Sequence, residues 1–208
     1  MNPYLPMLPR MGWRNLATAA GHNLLSVNHY YALNARISTL EARPYRGPDL
    51  NILKTGEPDM KELAGSLQGL DDESRKEMVI RLMYYGEGFH DCYVARTPDH
   101  EPAGILWIVF PSSNHLLAKH YRRRFAPLRA DQVMVENGFC FPRYRGLGLL
   151  PRLTRHLLLE ARNAGYEYSV AYAPVHKVVS LNEFLRLGFT ITRMFTEYRV
   201  FGRALRTV

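Results

Sequence analysis

The apolar positions of the first forty residues recur at intervals of three and four, the spacing that places side chains on one face of a helix. The residues with this spacing are Trp13, Leu16, Ala17, Ala20, Leu24, Val27 and Tyr31. They predict an amphipathic helix over residues 13–37, with Gly21 as a weak point in its middle. Residues 43–48 contain two prolines and a glycine and predict a linker. We therefore expect a helical extension, residues 1–43, before a separate domain, residues 49–208.

After the linker, stretches of alternating pattern are interleaved with stretches of helical spacing. This order predicts an α/β fold of α+β type, in which a mixed sheet is flanked by helices. The predicted strands cover residues 50–54, 92–96, 103–110, 133–141, 168–173 and 189–200. The predicted helices cover residues 58–70, 72–85, 149–164 and 178–187. Asp71 and Asp72 are the expected caps of the second helix.

The composition is that of a folded domain, with 208 residues of which 47% are hydrophobic and 22% charged. It excludes a disordered chain and a collagen-like repeat. Two cysteines, Cys92 and Cys140, are too few for a disulfide framework and fit a reducing compartment. No uncharged apolar stretch approaches the roughly 20 residues of a membrane-spanning helix. We therefore expect a cytoplasmic protein.

The charge is strongly basic, since 27 lysines and arginines oppose 19 acidic residues and give a formal net charge of +8. Such an excess suits an anionic partner, such as nucleic acid, a phospholipid surface, an acidic carrier protein or a phosphorylated co-substrate. The first forty residues contain Arg10, Arg14 and Arg36 and no acidic residue. Together with their apolar spacing, this predicts that residues 1–40 either bind peripherally to the anionic inner membrane surface or cover the domain.

The run Arg143-Tyr-Arg-Gly-Leu-Gly148 lies directly between a predicted strand and the clearest predicted helix. Glycines allow the backbone to turn sharply. Unpaired N–H groups at a helix N-terminus attract anions such as a pyrophosphate. The spacing matches neither the dinucleotide fingerprint nor the P-loop. Taken alone, the run is compatible with a phosphate site and with a plain structural turn.

This run resembles the Arg/Gln-x-x-Gly-x-Gly/Ala pyrophosphate loop of the GNAT superfamily of acyl-CoA N-acyltransferases. Residues 180–189 resemble a second motif of that family, a short helix that ends in Gly-Phe before a strand. The resemblance covers residues 50–200. It implies a splayed central sheet, acyl-CoA as co-substrate in its opening, and acyl transfer to an amine. The residues that it assigns to acyl-CoA are Phe139, Cys140, Phe141, Arg143, Arg145, Gly146, Leu147, Gly148, Leu149 and Ser180.

Two positions depart from the pattern of the family. Many members have a tyrosine four residues before the glycine of Gly-Phe, and it protonates the departing thiolate. Here that residue is Phe184, which has no proton to donate. The asparagine often found seven residues earlier is Lys177. Tyr172 and His176 are the alternatives for the acid, unless the thiolate departs unaided or the reaction is a different one. Tyr172 also fits a core aromatic of a strand.

An amine acceptor must lose a proton before it attacks. Glu136 lies in the predicted strand before the loop, where the family often places a carboxylate, and we predict that Glu136 takes this proton. The alternative is a Glu136 that is ion-paired and structural. Cys140 is expected to behave as a small apolar residue. No spacing of His, Cys and carboxylates predicts a metal site.

An insertion follows Phe110, where the family usually has a tight hairpin. It predicts a helix capped by Ser112 or Ser113, and it carries His115, Lys119, His120, Arg122, Arg123 and Arg124. Such a basic segment suits a phosphate, a carboxylate or an acidic carrier. We expect an N-acyltransferase that uses acyl-CoA and a small-molecule or carrier-bound amine. The second hypothesis is transfer from an acyl carrier protein to make an N-acylated amino acid or lipid. A nucleic-acid-binding protein comes last, because the interleaved aromatics of a stacking surface are missing.

Overall fold

The structure is a computed structural model that describes residues 2–12, 16–17, 25–40, 49–121, 124–200 and 203–207; for residues 25, 199 and 203–207 only the backbone is described. The described strands are β1 (Leu25–Arg36), β2 (Asn51–Lys54), β3 (Cys92–Arg96), β4 (Pro102–Val109), β5 (Gln132–Cys140), β6 (Tyr168–Pro174), β7 (Thr190–Val200) and β8 (Arg203–Thr207). The described α-helices are α1 (Glu57–Gly65), α2 (Asp72–Gly86), α3 (Asn114–Tyr121), α4 (Leu149–Asn163) and α5 (Val178–Arg186).

These eight described strands form one sheet in the order β2-β3-β4-β5-β6-β1-β7-β8. Only β5 and β6 have a parallel register among the strand pairs whose registers are described, from Gln132 opposite Tyr168 to Met134 opposite Val170. A mixed sheet with helices is therefore present, which confirms the predicted fold class. Each predicted strand and helix after the linker is also present, with ends that differ by a few residues.

The chain divides into two compact units. The first consists of Met1–Ala19, Tyr45–Trp107 and Asn137–Leu153, and the second of Ala20–Pro44, Ile108–Glu136 and Thr154–Val208. Strands β4 and β5 and helix α4 therefore contribute residues to both units.

The core of the first unit lies between α1, α2 and the strands β3 to β5. Its largest buried side chains are Met60, Leu63, Leu67, Met78, Leu82, Tyr84, Ile105, Trp107 and Phe139. The Trp107 indole N–H donates to the Phe89 carbonyl over 2.9 Å, so this buried donor is satisfied. Helix α2 begins as predicted, because the Asp71 carboxylate accepts the Ser74 backbone N–H over 2.9 Å.

Residues 2–12 pack against α2 within the first unit. They contain a 3₁₀ helix, Leu5–Met11, with Tyr4 and Met11 buried. The Asn2 side chain donates to the Met83 carbonyl in the last turn of α2 over 2.7 Å. A Cβ on Gly86 would lie 2.1 Å from the Asn2 Oδ1 and 2.9 Å from the Tyr4 ring, so a larger residue there would have to displace the Asn2 side chain.

The helix predicted over residues 13–37 is wrong for residues 25–36, which form strand β1 in the second unit. Tyr31 lies opposite Ala173 of β6 on one side and Met194 of β7 on the other, so both edges of the strand are paired. Its buried apolar residues Leu33 and Ala35 alternate with half-buried or exposed ones, and Ile37 continues this pattern just after the strand. The helical spacing of Val27 and Tyr31 was coincidental, and pairing with distant strands decides the structure.

The rest of the N-terminal prediction concerns residues that are mostly not described. Residues 13–15 and 18–24 and the linker at residues 43–48 lie outside the described residues. Within the described residues, no helix is long and apolar enough to cross a bilayer. The predicted membrane contact of residues 1–40 relied on one long amphipathic helix, and the strand at residues 25–36 removes that argument for this part.

The insertion after β4 contains the predicted helix, α3, which follows a 3₁₀ turn at Pro111–Ser113. The Asn114 side chain holds the return of the insertion, because its amide donates to the Leu128 carbonyl and accepts the Leu128 N–H, both over 2.8 Å. Two of the predicted arginines, Arg122 and Arg123, lie outside the described residues. Strand β8 was not predicted; it pairs antiparallel with β7.

Candidate active site

The connection from β5 to α4 contains two glycines with left-handed backbone. Gly146 has a φ of 78° and Gly148 a φ of 67°, values that L-residues rarely adopt. The Arg152 N–H donates to the Gly148 carbonyl over 3.3 Å, which is the first hydrogen bond of α4. The amides of Leu149 and Leu150 therefore precede the helical hydrogen bonds and stand at the positive end of the helix dipole.

The same connection fits a pyrophosphate. Gly146, Leu147 and Gly148 are exposed. Among the described residues, no atom lies within 4 Å of the position that a Cβ would take on Gly146. Phosphate oxygens can therefore approach this backbone closely and meet N–H groups at a helix N-terminus. Pro151 carries no N–H, so the helix itself contributes the amides of Leu149 and Leu150, and the glycine loop must supply the rest.

Strand β4 positions the start of α4 through a glycine. A Cβ on Gly104 would lie 2.3 Å from the Cδ2 of Leu149 and 3.0 Å from the Phe139 carbonyl oxygen. Leu149 is buried against this gap, with 4% of its surface exposed. The missing side chain of Gly104 thus allows the first residue of α4 to approach the sheet. Sequence reasoning missed this residue, although a lone glycine within an apolar strand signals close packing.

The two arginines of the loop are used differently. Arg143 is exposed and pairs with the Glu101 carboxylate over 2.5 Å, and the Tyr144 hydroxyl donates to the same carboxylate over 2.9 Å. Arg145 donates to the Ser74 hydroxyl over 2.9 Å and to the Cys140 carbonyl over 3.2 Å. Arg145 therefore ties the loop to α2, whereas the side chain of Arg143 is held by a surface carboxylate.

The three residues before the loop were predicted to contact acyl-CoA. Phe139 and Phe141 are buried and pack edge-to-face, with ring centroids 5.2 Å apart. Any contact with a ligand would therefore come mainly from their backbone. Cys140 is half-buried, and burial raises the pKa of its thiol to about 11 despite the opposing effect of Arg145. The thiol is protonated at neutral pH, so Cys140 is not a thiolate nucleophile.

In the second unit, Glu136 and Tyr172 project from the same face of the sheet. Met134 lies opposite Val170, and each of the two residues follows by two positions in its strand. Both are half-buried. Of the two alternatives for the acid, Tyr172 is thus the one on the face of Glu136. His176 is exposed in the turn after β6, and Ser180 is exposed on α5.

Arg124, from the insertion, lies over this face. Its guanidinium carbon is 5.9 Å from the centre of the Tyr30 ring. Burial lowers the pKa of Arg124, but the attraction of Glu136 and then of Tyr30 and Glu197 outweighs it and raises the pKa overall. Glu197, on β7, is completely buried. A charged arginine thus lies close to Glu136, and the ion-paired alternative for Glu136 has a partner.

Three aromatic rings, those of Phe125, Phe195 and Tyr30, lie around Arg124 and Tyr172. Tyr172 lies 5.1 Å from Phe125 and 5.9 Å from Phe195, measured between ring centroids. Phe195 also stacks on Tyr30 at 5.5 Å. Tyr172 therefore packs as a strand aromatic, which was the structural alternative for this residue, and its hydroxyl is the part that could donate a proton. Within the described residues, no three His, Cys, Asp or Glu side chains are grouped so that they could hold a metal ion.

No family model matches this chain, and no curated relative matches it. Several solved structures, however, match the chain. A fungal multi-domain GH3 β-N-acetylglucosaminidase with a GCN5-related glucosamine N-acetyltransferase region matches 88% of the chain, with a TM-score of 0.59 and 14% identity. A GCN5-related N-acetyltransferase from Sphaerobacter thermophilus matches 93%, with a TM-score of 0.54 and 9% identity. An acetyltransferase of the GNAT family from Colwellia psychrerythraea matches 89%, with a TM-score of 0.52 and 9% identity.

This chain has the GNAT fold. It spans 22% of the fungal protein, 57% of the Sphaerobacter protein and 61% of the Colwellia protein. At these identities the likeness concerns the fold, so activity and substrates must be argued from the residues of this chain.

Phe184 stands where members of the GNAT family usually have a tyrosine, and its ring packs on another aromatic ring. Phe184, on α5, packs edge-to-face on Phe189 with ring centroids 5.0 Å apart. It supports the Gly-Phe corner and offers no proton. Lys177, the other departure, precedes α5 and makes no side-chain cap to it.

Proposed function

We propose that this protein is an N-acyltransferase that moves an acyl group from acyl-CoA to the primary amine of an acceptor. The observation that carries the proposal is the connection from β5 to α4. It combines two left-handed glycines, an open approach to Gly146 and the amides of a helix N-terminus, on a GNAT fold. These are the features that a pyrophosphate needs. The acceptor and the length of the acyl chain are left open.

The proposed reaction breaks the C–S bond of a thioester, forms a C–N bond, and moves one proton from the amine to the sulfur. Acyl-CoA supplies the activated acyl group and the pyrophosphate that anchors it. The amides of Gly146 to Leu150 hold the negative charge of the pyrophosphate, which positions the donor. Arg143 can join them if it leaves Glu101, since both side chains are exposed and the pair is weak in water.

Glu136 takes the proton of the acceptor amine in this proposal. It is half-buried on β5, the strand that leads into the proposed donor loop, residues 143–148. The attraction of Glu136 raises the pKa of Arg124, so the guanidinium close to Glu136 stays charged. Tyr172 is the proposed source of the proton for the sulfur, because it lies on the same face as Glu136 and Phe184 cannot serve.

The test is binding of acetyl-, octanoyl- and palmitoyl-CoA, followed by native mass spectrometry and calorimetry. Gly146→Val should weaken binding by at least about tenfold, because the side chain blocks the approach of the phosphates. Gly165→Val is the matched control: Gly165 ends α4, has a φ of 94° and also has open space at its Cβ. Both variants carry a similar backbone strain of about 1–2 kcal/mol.

Equal affinity of wild type and folded Gly146→Val, or an equal loss in Gly165→Val, would contradict the donor site. Binding of an acyl carrier thioester in place of all three CoA esters would transfer the proposal to a carrier-dependent acyltransferase.

A further inference from the structure

Helix α2 carries a stripe of polar residues on the side that faces β5, the strand before the donor loop. Ser74, Glu77 and Arg81 follow one another at intervals of three and four, so they share one side of the helix. At the far end of this stripe, Arg81 reaches β5: its Nε donates to the Asn137 carbonyl over 3.0 Å and its Nη2 to the Gly138 carbonyl over 2.5 Å. A single guanidinium thus binds two consecutive carbonyls of the strand.

Those carbonyls lie at a distortion of β5. Asn137 has a φ of 57°, in the left-handed region, although it is not glycine. Consecutive carbonyls of a regular strand point in opposite directions. A left-handed residue interrupts that alternation, as in a β-bulge, and here both carbonyls reach the same guanidinium. The distortion comes directly after Glu136 and shortly before the donor loop.

Arg81 is well held. Only 12% of its side chain is exposed, its Nη1 donates to the Glu77 carbonyl over 2.6 Å, and its guanidinium carbon lies 5.3 Å from the centre of the Phe139 ring. The planar fork of an arginine can bind both carbonyls at once, whereas a lysine offers one point of contact. The geometry is therefore specific to arginine.

The other end of the stripe binds the donor loop. The Ser74 hydroxyl donates to the Asp71 carboxylate and accepts from Arg145, both over 2.9 Å. Helix α2 thus holds the backbone just before the segment Phe139–Phe141, through Arg81, and the loop just after it, through Ser74. The segment assigned to acyl-CoA is fixed from both ends by one helix.

We propose that Arg81 is a positioning residue of the donor site: it fixes the distorted backbone at Asn137 and Gly138, and so sets the path of the strand and loop that bind the co-substrate. The positioning role follows from the contacts of Arg81, and its effect on CoA rests on the proposed function. Arg81 itself need not touch the ligand. Sequence spacing gave no indication of it, because the contact joins distant parts of the chain.

The test compares Arg81→Lys with Arg75→Lys. Arg75 is a matched control on the same helix, because its guanidinium also binds two carbonyls, those of Leu67 and Leu70, but does not contact β5. Arg81→Lys should raise the dissociation constant of CoA about tenfold or more and speed amide exchange at residues 137–149. Arg75→Lys should change neither, whatever its melting temperature.

Rescue separates positioning from general stability. Glycine adopts the φ of residue 137 without strain, so Asn137→Gly added to Arg81→Lys should restore the CoA affinity to within about threefold of wild type. If Arg81→Lys does not fold, the double variant is compared with wild type instead, and its CoA affinity should lie within about threefold of the wild-type value.

Unchanged exchange at residues 137–149 in folded Arg81→Lys would overturn the proposal, and so would an equal effect of Arg75→Lys. If the wild-type protein binds no CoA at all, the proposed function fails, but the exchange measurement still decides whether Arg81 holds the strand. Faster exchange with an unchanged CoA affinity would show that Arg81 fixes the strand without serving the donor site, and would also count against the proposal.

Discussion

Glu136 is the residue that we propose as the catalytic base. It is half-buried on β5, and its attraction raises the pKa of Arg124. A carboxylate beside an arginine can serve as a base or as a structural ion pair, and the two roles predict different kinetics. As a base it affects turnover, whereas as a structural partner it affects folding.

We expect Glu136→Gln to lower turnover by about 10²–10⁴-fold with unchanged CoA binding, because glutamine keeps the shape but accepts no proton. The loss should shrink as pH rises, since more of the acceptor amine is then already neutral. Steady-state rates between about pH 7 and 10 measure this. Glu167→Gln, at an exposed glutamate before β6, is the control and should keep the wild-type rate. A Glu136→Gln enzyme within a few-fold of wild type, but less stable, would make Glu136 structural.

Helix α1 and strand β3 are joined by an ion pair that the sequence did not reveal. Arg96, with 8% of its surface exposed, binds Asp59 over 2.8 Å and Glu62 over 2.7 Å. Burial raises the pKa of Asp59, but its hydrogen bond with the Gly56 N–H and the charge of Arg96 outweigh this, so the pKa lies below its usual value. The ionised form of Asp59 is therefore favoured in the folded state.

This shift predicts how the contribution of Asp59 depends on pH. A carboxyl whose pKa is lower in the folded state stabilises the fold above its unfolded pKa of about 3.9, and that stability is lost as pH falls through the folded pKa. Asp59→Asn should therefore lower the free energy of unfolding by about 1 kcal/mol at pH 7, allowing for partial exposure of the pair. The difference from wild type should shrink as the pH falls below about 4.

Urea denaturation at several pH values measures this dependence. Lys61→Gln removes an exposed pair with Glu57, whose oxygen is 4.0 Å away, and should change stability by no more than about 0.5 kcal/mol at any of these pH values. A loss in Asp59→Asn that stays constant between pH 2 and 7 would be inconsistent with the assigned pKa shift.

The elements that sequence could predict are those whose signals are local. Helix α2 begins at its Asp71 cap and α4 ends before Gly165, and both ends were visible in the sequence. The glycine turn between β5 and α4 was predictable for the same reason, because its glycines are nearly adjacent in the chain. The structural roles of Arg81 and Gly104 were not predicted, because both residues contact parts of the chain that are distant in sequence. The spacing of residues along the chain gives no information on such contacts.

Strand β1 shows a different limit of sequence reasoning. Its residues fit a helical period and an alternating one about equally well, and the deciding interaction is pairing with β6 and β7, far along the chain. At the scale of the whole molecule, this strand supplies the middle of the second unit. Its removal would leave the facing edges of β6 and β7 without their partner.

We therefore expect deletion of residues 1–36 to abolish cooperative folding, because β1 is paired along both edges. Deletion of residues 1–12 removes only the 3₁₀ helix and its contacts with α2, and that protein should still fold, with a lower melting temperature. Thermal unfolding followed by near-ultraviolet circular dichroism distinguishes the two. Cooperative unfolding of the protein without residues 1–36, at the wild-type temperature, would contradict the central role of β1.

The position of β1 also has a consequence for synthesis of the protein on the ribosome. Tyr31 emerges early, yet its two neighbours in the sheet, Ala173 and Met194, are among the last parts of the domain to be translated. Until then the nascent chain carries a strand with two open edges, of the kind that recruits chaperones or joins another chain. The second unit is therefore completed only after translation of β7, when β1 pairs with β6 and β7 across a long stretch of intervening chain.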